Sequence, residues 1–155
     1  MDFIRGSILD VPSGIIVQQV NCLGVMGAGL AKAIRCKWPK VFDEYSYLCG
    51  RLDPKGLFGC VQFVDVGRGL TVANSFSQLG FGDSRKTGKV YTDTGVLVGN
   101  IEYITCKAEE DFGGARVYIP AGIGCGLAGG TWSVVSSRIQ HLPVTVVYYE
   151  GKSGK

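Results

Sequence analysis

At 155 residues the chain is long enough for one domain with a real core, and 46% hydrophobic against 19% charged residues excludes a disordered polymer. A net charge of +3 suits an anionic small ligand but supplies no basic stripe for a nucleic-acid duplex. The start, Met1-Asp2-Phe3-Ile4-Arg5-Gly6, brings an acid at once, and no apolar run reaches the length of a membrane span. No secretory signal and no membrane partner are expected, and the location reads as cytoplasmic.

In chain order, Ile15-Ile16-Val17-Gln18-Gln19-Val20 reads as a buried strand ending in polar residues. It runs into a glycine-rich turn, Asn21-Cys22-Leu23-Gly24-Val25-Met26-Gly27-Ala28-Gly29. Leu30, Ala33 and Ile34 then share one face of a helix that Trp38-Pro39 ends, and Pro39 opens a second helix through Val41, Phe42 and Tyr45. Residues 60–66 and 70–74 form a strand pair across Gly67-Arg68-Gly69. The stretch from Phe76 to Lys89, rich in Gly, Ser and Lys, is expected to be a surface loop. Leu97, Ile101 and Ile104 predict a helix from about Thr92 to Lys107. Arg116–Pro120 is a strand that enters a second glycine-rich stretch, residues 121–130. Thr131 is placed to N-cap a helix carrying Trp132, Val135, Ile139 and Leu142. Residues 144–149 form the last buried strand. Strands alternating with helices define an α/β layer fold, with no repeat and no second domain.

The six cysteines contain no Cys-x-x-Cys pair, and His141 is the only histidine, so no metal site is expected. The cysteines read mostly as reduced core residues. A nucleophile–histidine pair would have to use His141, which falls near a helix end where histidine serves as a cap or surface group.

Twenty-four glycines are costly in backbone entropy, so their placement matters. Two glycine stretches each lie between a strand end and a helix start, the edge of an open α/β sheet where ligands bind. Glycine lets the backbone approach a phosphate closely, and a helix N-terminus favours an anion. A single such loop reads equally well as a tight turn; two in one short chain point to a diphosphate held between them. Gly124-Cys125-Gly126-Leu127-Ala128-Gly129 also fits the dinucleotide fingerprint G-x-G-x-x-G, with Glu150 about twenty residues on. A Rossmann-type NAD-binding protein is therefore an alternative, although it gives the first loop no role. A generic α/β protein with structural glycine turns is the third.

Several segments together carry a family resemblance. They are Gln19-Val20-Asn21-Cys22, Gly24-Val25-Met26-Gly27-Ala28-Gly29-Leu30-Ala31, Trp38-Pro39-Lys40-Val41-Phe42, Ala73-Asn74-Ser75-Phe76 and the run Ile123 to Gly130. In order and spacing the chain resembles macrodomains, in the branch of ADP-ribose 1''-phosphate phosphatases and terminal ADP-ribose glycohydrolases. The resemblance implies a three-layer fold with a central mixed β-sheet flanked by helices over residues 1–150, followed by a flexible tail at 151–155. It also implies an ADP-ribose-type small molecule or an ADP-ribosylated macromolecule as partner, without a cofactor. Val20, Asn21, Gly27, Ala28, Gly29 and Leu30 would line the distal ribose and diphosphate. Ile123, Gly124, Cys125, Gly126 and Leu127 would wrap the diphosphate from the other side. Ser7 and Ile8 would border the adenine, and Tyr148 or Tyr149 would pack near it.

The chain departs from that family where polar chemistry usually sits. Ser7 stands where an Asp grips the adenine, Gln18 where a His is frequent, and Thr131 where an acid is frequent. Ala128 and the Phe76/Ser77 pair replace a catalytic Asp and Lys. The remaining candidates are Asn21 to position a water, Cys125 as a nucleophile, and Asp83 or Asp93 swinging in from the loop. Binding parts outnumber proton-transfer parts, so a reader or sequestering protein is favoured over a hydrolase.

Overall fold

The computed structural model describes residues 1–150; the expected tail, 151–155, lies outside the described residues. Six strands form one sheet: β1 (Asp2–Gly6), β2 (Gly14–Asn21), β3 (Val61–Gly67), β4 (Leu70–Gln78), β5 (Val117–Pro120) and β6 (Val144–Tyr149). Their order is β1-β6-β5-β2-β4-β3, parallel throughout except for the antiparallel β3–β4 hairpin. The sheet is mixed, as the resemblance implies. β2, at the centre, is buried along almost its whole length, as a parallel strand covered on both faces must be.

Helices cover both faces. On one, α1 (Gly29–Lys37), α2 (Pro39–Cys49) and the short α3 (Pro54–Leu57) bury Ile34, Val41, Tyr45 and Leu57 against Val20, Val64, Val72 and Phe76. On the other, α5 (Thr94–Asp111) and α6 (Trp132–Ile139) bury Leu97, Ile101, Ile104, Val135 and Ile139 against Ile15, Val17, Val117, Ile119 and Val144. A one-turn helix, α4 (Ser84–Thr87), sits between β4 and α5. The three layers follow from these two apolar faces of the sheet.

The structure corrects the sequence reading at four places. β4 continues through Gln78 instead of yielding to a loop at Phe76, because Phe76 is fully buried against Tyr45 with ring centroids 5.7 Å apart. α5 starts two residues later than expected, since Thr92 bridges Gln78 and the Asp93 carboxylate caps Val96 N–H at 3.0 Å. It also runs on to Asp111, where Lys107 pairs with Glu110 and Asp111 at 3.5 and 3.3 Å. Thr131 holds the N-cap position of α6 without a side-chain cap bond, and the helix stops before Leu142. The cysteines are free, but Cys36, Cys60 and Cys106 are exposed and only Cys22 is buried. His141 is exposed and 3.7 Å from Glu102, consistent with a surface group.

The chain leaves β2 for β3, at the edge beyond β4, and leaves β5 for β6 on the other side. Such a reversal opens a crevice at the carboxyl ends of the two strands. Both glycine loops emerge there: residues 22–28 after β2, and residues 121–131 after β5.

Candidate functional site

A cavity of about 550 Å³ fills that crevice. Its floor is Gln18, Gln19, Val20 and Asn21 at the end of β2, with Gln78 beside them. One wall is Val25 to Ala31, and the other is Pro120 to Gly124 with Gly126 to Ala128; Phe81 and Gly82 stand at the side. A cavity of this size accommodates a nucleotide-sized ligand. No Asp, Glu, Lys, Arg, His, Tyr or Cys side chain lines it among the described residues.

Its polarity comes from the backbone. In the second loop five carbonyls are bonded within the protein. Gly122 O accepts from Cys125 N–H, Gly124 O from Gly130 N–H, Gly126 O from Gly129 N–H, Leu127 O from Ser84 N–H, and Ala128 O from Tyr91 N–H at 2.8–3.1 Å. The N–H groups of Gly122, Gly124, Gly126, Leu127 and Ala128 donate to nothing among the described residues. The first loop repeats the arrangement. Ala28 caps α1 without a side-chain bond, so the N–H groups of Gly29, Leu30 and Ala31 are left as the orphan donors of a helix start. Two arrays of unpaired donors thus belong to residues that line one cavity, and their partial positive charge needs no cation to attract an anion.

The first loop is shaped by Asn21. Its Oδ1 accepts from Leu23 N–H at 2.9 Å, Val25 N–H at 3.3 Å and the Tyr45 hydroxyl at 2.8 Å, while Nδ2 donates to Val25 O at 2.7 Å. Tyr45 OH also reaches Asn21 O at 2.7 Å. Its burial pushes the phenol far above its ordinary pKa, so it remains a donor. Asn21 therefore lines the cavity while its side chain also holds the turn. Replacing the phenol tests the strut. Tyr45→Phe should lower stability by about 1–2 kcal/mol, seen as a lower urea midpoint at unchanged slope.

Gln18 is oriented by a relay of amides. Gln62 Nε2 donates to the backbone carbonyl of Glu44 at 3.0 Å, Asn74 Nδ2 to Gln62 Oε1 at 3.1 Å, and Gln18 Nε2 to Asn74 Oδ1 at 2.7 Å. Because a backbone carbonyl anchors the series, each amide has only one orientation, and Gln18 Oε1 is left buried without a partner.

The other candidate catalytic groups are occupied elsewhere. Asp83 caps α4 and pairs with Arg85 at 3.1 Å, and the hydrogen bond from that guanidinium holds its carboxyl below the ordinary range. Asp93 caps α5. Cys125 turns away from the cavity: its thiol donates to Ile123 O at 3.2 Å, and burial raises its pKa, which disfavours the thiolate. Burial likewise pushes Cys22 up to about 11.

Of the residues expected at the site, Val20, Asn21, Gly27, Ala28, Gly29, Leu30, Ile123, Gly124, Gly126 and Leu127 line this one cavity. Cys125, Ser7, Ile8, Tyr148 and Tyr149 do not. The Ser7 hydroxyl accepts from Leu9 N–H at 3.2 Å, capping a 3₁₀ turn over Ile8–Asp10. Ile8 is buried with Val11, Ile16, Leu70 and Val147. Tyr148 packs edge-on against Phe3 at 6.1 Å, and Tyr149 is 80% exposed. The sequence reading missed Gln19, Gln78 and Phe81. The last two fall in the stretch taken for a surface loop; the run of β-formers around Phe76 was the available signal.

The dinucleotide fingerprint does not have its structural context. Its middle glycine, Gly126, precedes the first residue of α6, Trp132, by a further irregular stretch rather than opening the helix. The donor-rich helix start at the cavity belongs instead to α1, from the first loop.

Comparison with known proteins agrees with the geometry. No protein-family model matches the chain. Over 47 residues it is 36% identical to an ADP-ribose 1''-phosphate phosphatase of Aspergillus oryzae, a match spanning 30% of this chain and 23% of that protein's length. A solved protein of unknown function from Bacteroides thetaiotaomicron superposes with a TM-score of 0.80 at 26% identity, over 96% of this chain and 97% of the other. A macrodomain protein from Streptomyces coelicolor gives 0.70 at 25%, over 97% and 99%. The DarTG protein of Thermosipho africanus, solved in complex with ADP-ribose, gives 0.71 at 18%, over 99% of this chain and 43% of that one. The molecule is an α/β protein with a switch-point cleft. Its fold is the macrodomain fold.

Proposed function

We propose that the cleft binds ADP-ribose or a nucleotide derived from it, and that the protein acts as a reader or sequestering protein. The observation that carries this reading is the pairing of two unpaired backbone donor arrays with a lining free of ionisable side chains. Five N–H groups from residues 122–128 and three from the start of α1 match the many acceptors of a diphosphate, while nothing present can shuttle a proton. An ADP-ribose complex in a protein of the same fold supports the ligand class. Ser7, Ile8, Tyr148 and Tyr149 are proposed to lie beyond the diphosphate on the adenine side. That wall is tied to β6 through the bond from Ala121 N–H to Val147 O at 2.9 Å.

A calorimetric panel tests the proposal. Free ADP-ribose should bind at least about tenfold more tightly than AMP, which leaves one donor array without an acceptor. NAD should also bind less tightly, since nicotinamide would project where the first loop closes. Equal or stronger binding of NAD would revive the dinucleotide reading through Gly124, Gly126 and Gly129. The partial likeness to a phosphatase favours one second reading, hydrolysis of an ADP-ribose 1''-phosphate or of an ADP-ribosylated macromolecule.

A further inference from the structure

Behind the second loop runs a directed series of side-chain hydrogen bonds that no backbone ladder requires. Asn100 Nδ2, on α5, donates to Ser75 Oγ at 2.9 Å, and Ser75 and Ser77 hydroxyls meet at 3.0 Å. Ser77 Oγ donates to Gln19 Oε1 at 2.7 Å; Gln19 Nε2 donates to Thr92 Oγ1 at 2.8 Å and to Gln78 Oε1 at 2.9 Å. Thr92 Oγ1 then donates to Gly124 O at 2.5 Å. Each hydroxyl has one hydrogen, so the Asn100 donor and the Gln19 amide together set the direction of every bond. The series ends on a loop carbonyl.

We propose that Thr92 is the positioning residue of the cavity: its hydroxyl pins Gly124 O behind the wall, so that the N–H groups of Gly126, Leu127 and Ala128 are presented to an anion. Gly124 O accepts only two bonds, from Thr92 and from Gly130 N–H at 2.9 Å, and together they close the base of the loop. Thr92 is buried and does not line the cavity, so it acts through the loop and never touches the ligand. The packing is close. Gly124 has φ +73°, and a Cβ there would stand 3.1 Å from Gln19 Oε1 and from both branches of Thr92. The loop backbone rests directly on the end of the series, which ties its orientation to α5 and to β4. Pre-organised donors bind more tightly than donors that must first be ordered, and this is how a buried threonine sets affinity.

The inference rests on the proposed ADP-ribose site, and the experiment separates the two. Wild type, Thr92→Val, Thr92→Ser and Thr92→Ala are titrated with ADP-ribose, and amide hydrogen exchange is followed at Gly130. Valine keeps the shape and loses the hydroxyl; serine keeps the hydroxyl. Thr92→Val and Thr92→Ala should bind about tenfold more weakly, with Gly130 exchanging faster, while Thr92→Ser stays within about twofold of wild type. Wild-type affinity in Thr92→Val, or equal losses in the serine and valine variants, would overturn the proposal. If wild type itself binds no ADP-ribose, the site reading fails. Gly130 exchange then decides the pinning alone: unchanged protection in Thr92→Val refutes it.

Discussion

Gly126→Glu should abolish ADP-ribose binding and leave the fold intact. Gly126 lines the cavity, its φ lies outside the left-handed region, and a Cβ added there would meet nothing within 4 Å. The backbone therefore accepts a side chain at no conformational cost. The carboxylate cannot be neutral at pH 7 in so open a position, and it faces donors that would otherwise hold a phosphate. It either repels the diphosphate or takes its place on the Gly122–Ala128 donors. Both outcomes remove binding, by at least about 100-fold, or about 2.8 kcal/mol. The choice of glycine matters. At Gly130 a Cβ would come within 2.6 Å of Gly124 O, so a substitution there tests folding rather than binding. Titration calorimetry on Gly126→Glu with an unchanged melting temperature is the measurement. Retained affinity in that folded variant means that the second loop is not the diphosphate site.

Turnover is the second large effect, and it should be absent or very slow. A missing general acid or base costs about 10²–10⁴ in rate, and this cavity has neither. Asp83 and Asp93 are helix caps, the Cys125 thiol is turned to Ile123 O, and Asn21 holds the first loop. Ala128, the position where the family resemblance leads one to expect an acid, has no ionisable side chain. Positioning alone can still accelerate a reaction, so the test needs two regimes. Protein is mixed with ADP-ribose 1''-phosphate, and separately with an ADP-ribosylated protein, at stoichiometric and at catalytic ratios. Phosphate and ADP-ribose release are then followed. Recovery of unchanged ligand after denaturation is the expected result. Many turnovers per minute, lost in Asn21→Ala without loss of binding, would establish a hydrolase and end the sequestering reading.

Much of the site was legible because glycine reports on the backbone. Gly24, Gly27 and Gly29 after one strand, and Gly122, Gly124 and Gly126 after another, mark close backbone approach without any knowledge of what surrounds them. The helices from Leu30 and Pro39 were legible from local rules of capping and spacing, and those rules act within one turn. The segment around Phe76 was not. Ser75 and Ser77 are fully buried, and their polarity reads as a loop until Asn100 and Gln19 are found bonded to them. The overextended reading of the last helix has the same origin: Leu142 is buried by the sheet and not by helical geometry.

By itself, then, the sequence determined the layer fold and the two loops, both consequences of backbone conformation and local periodicity. Only the tertiary structure decided how the loops work. It bonded the Gly124, Leu127 and Ala128 carbonyls to Ser84, Tyr91, Thr92 and Gly130, and left the N–H groups of Gly122, Gly124, Gly126, Leu127 and Ala128 without a partner among the described residues. It also engaged the side chains of Asn21, Asp83, Asp93 and Cys125 in bonds to the backbone. The physical reason is separation along the chain. Gln19 and Thr92 lie 73 residues apart, Ser77 and Gln19 58, and Asn100 and Ser75 25. A hydrogen bond between such residues exists only once the sheet has brought them together, and no local pattern encodes which donor will meet which acceptor.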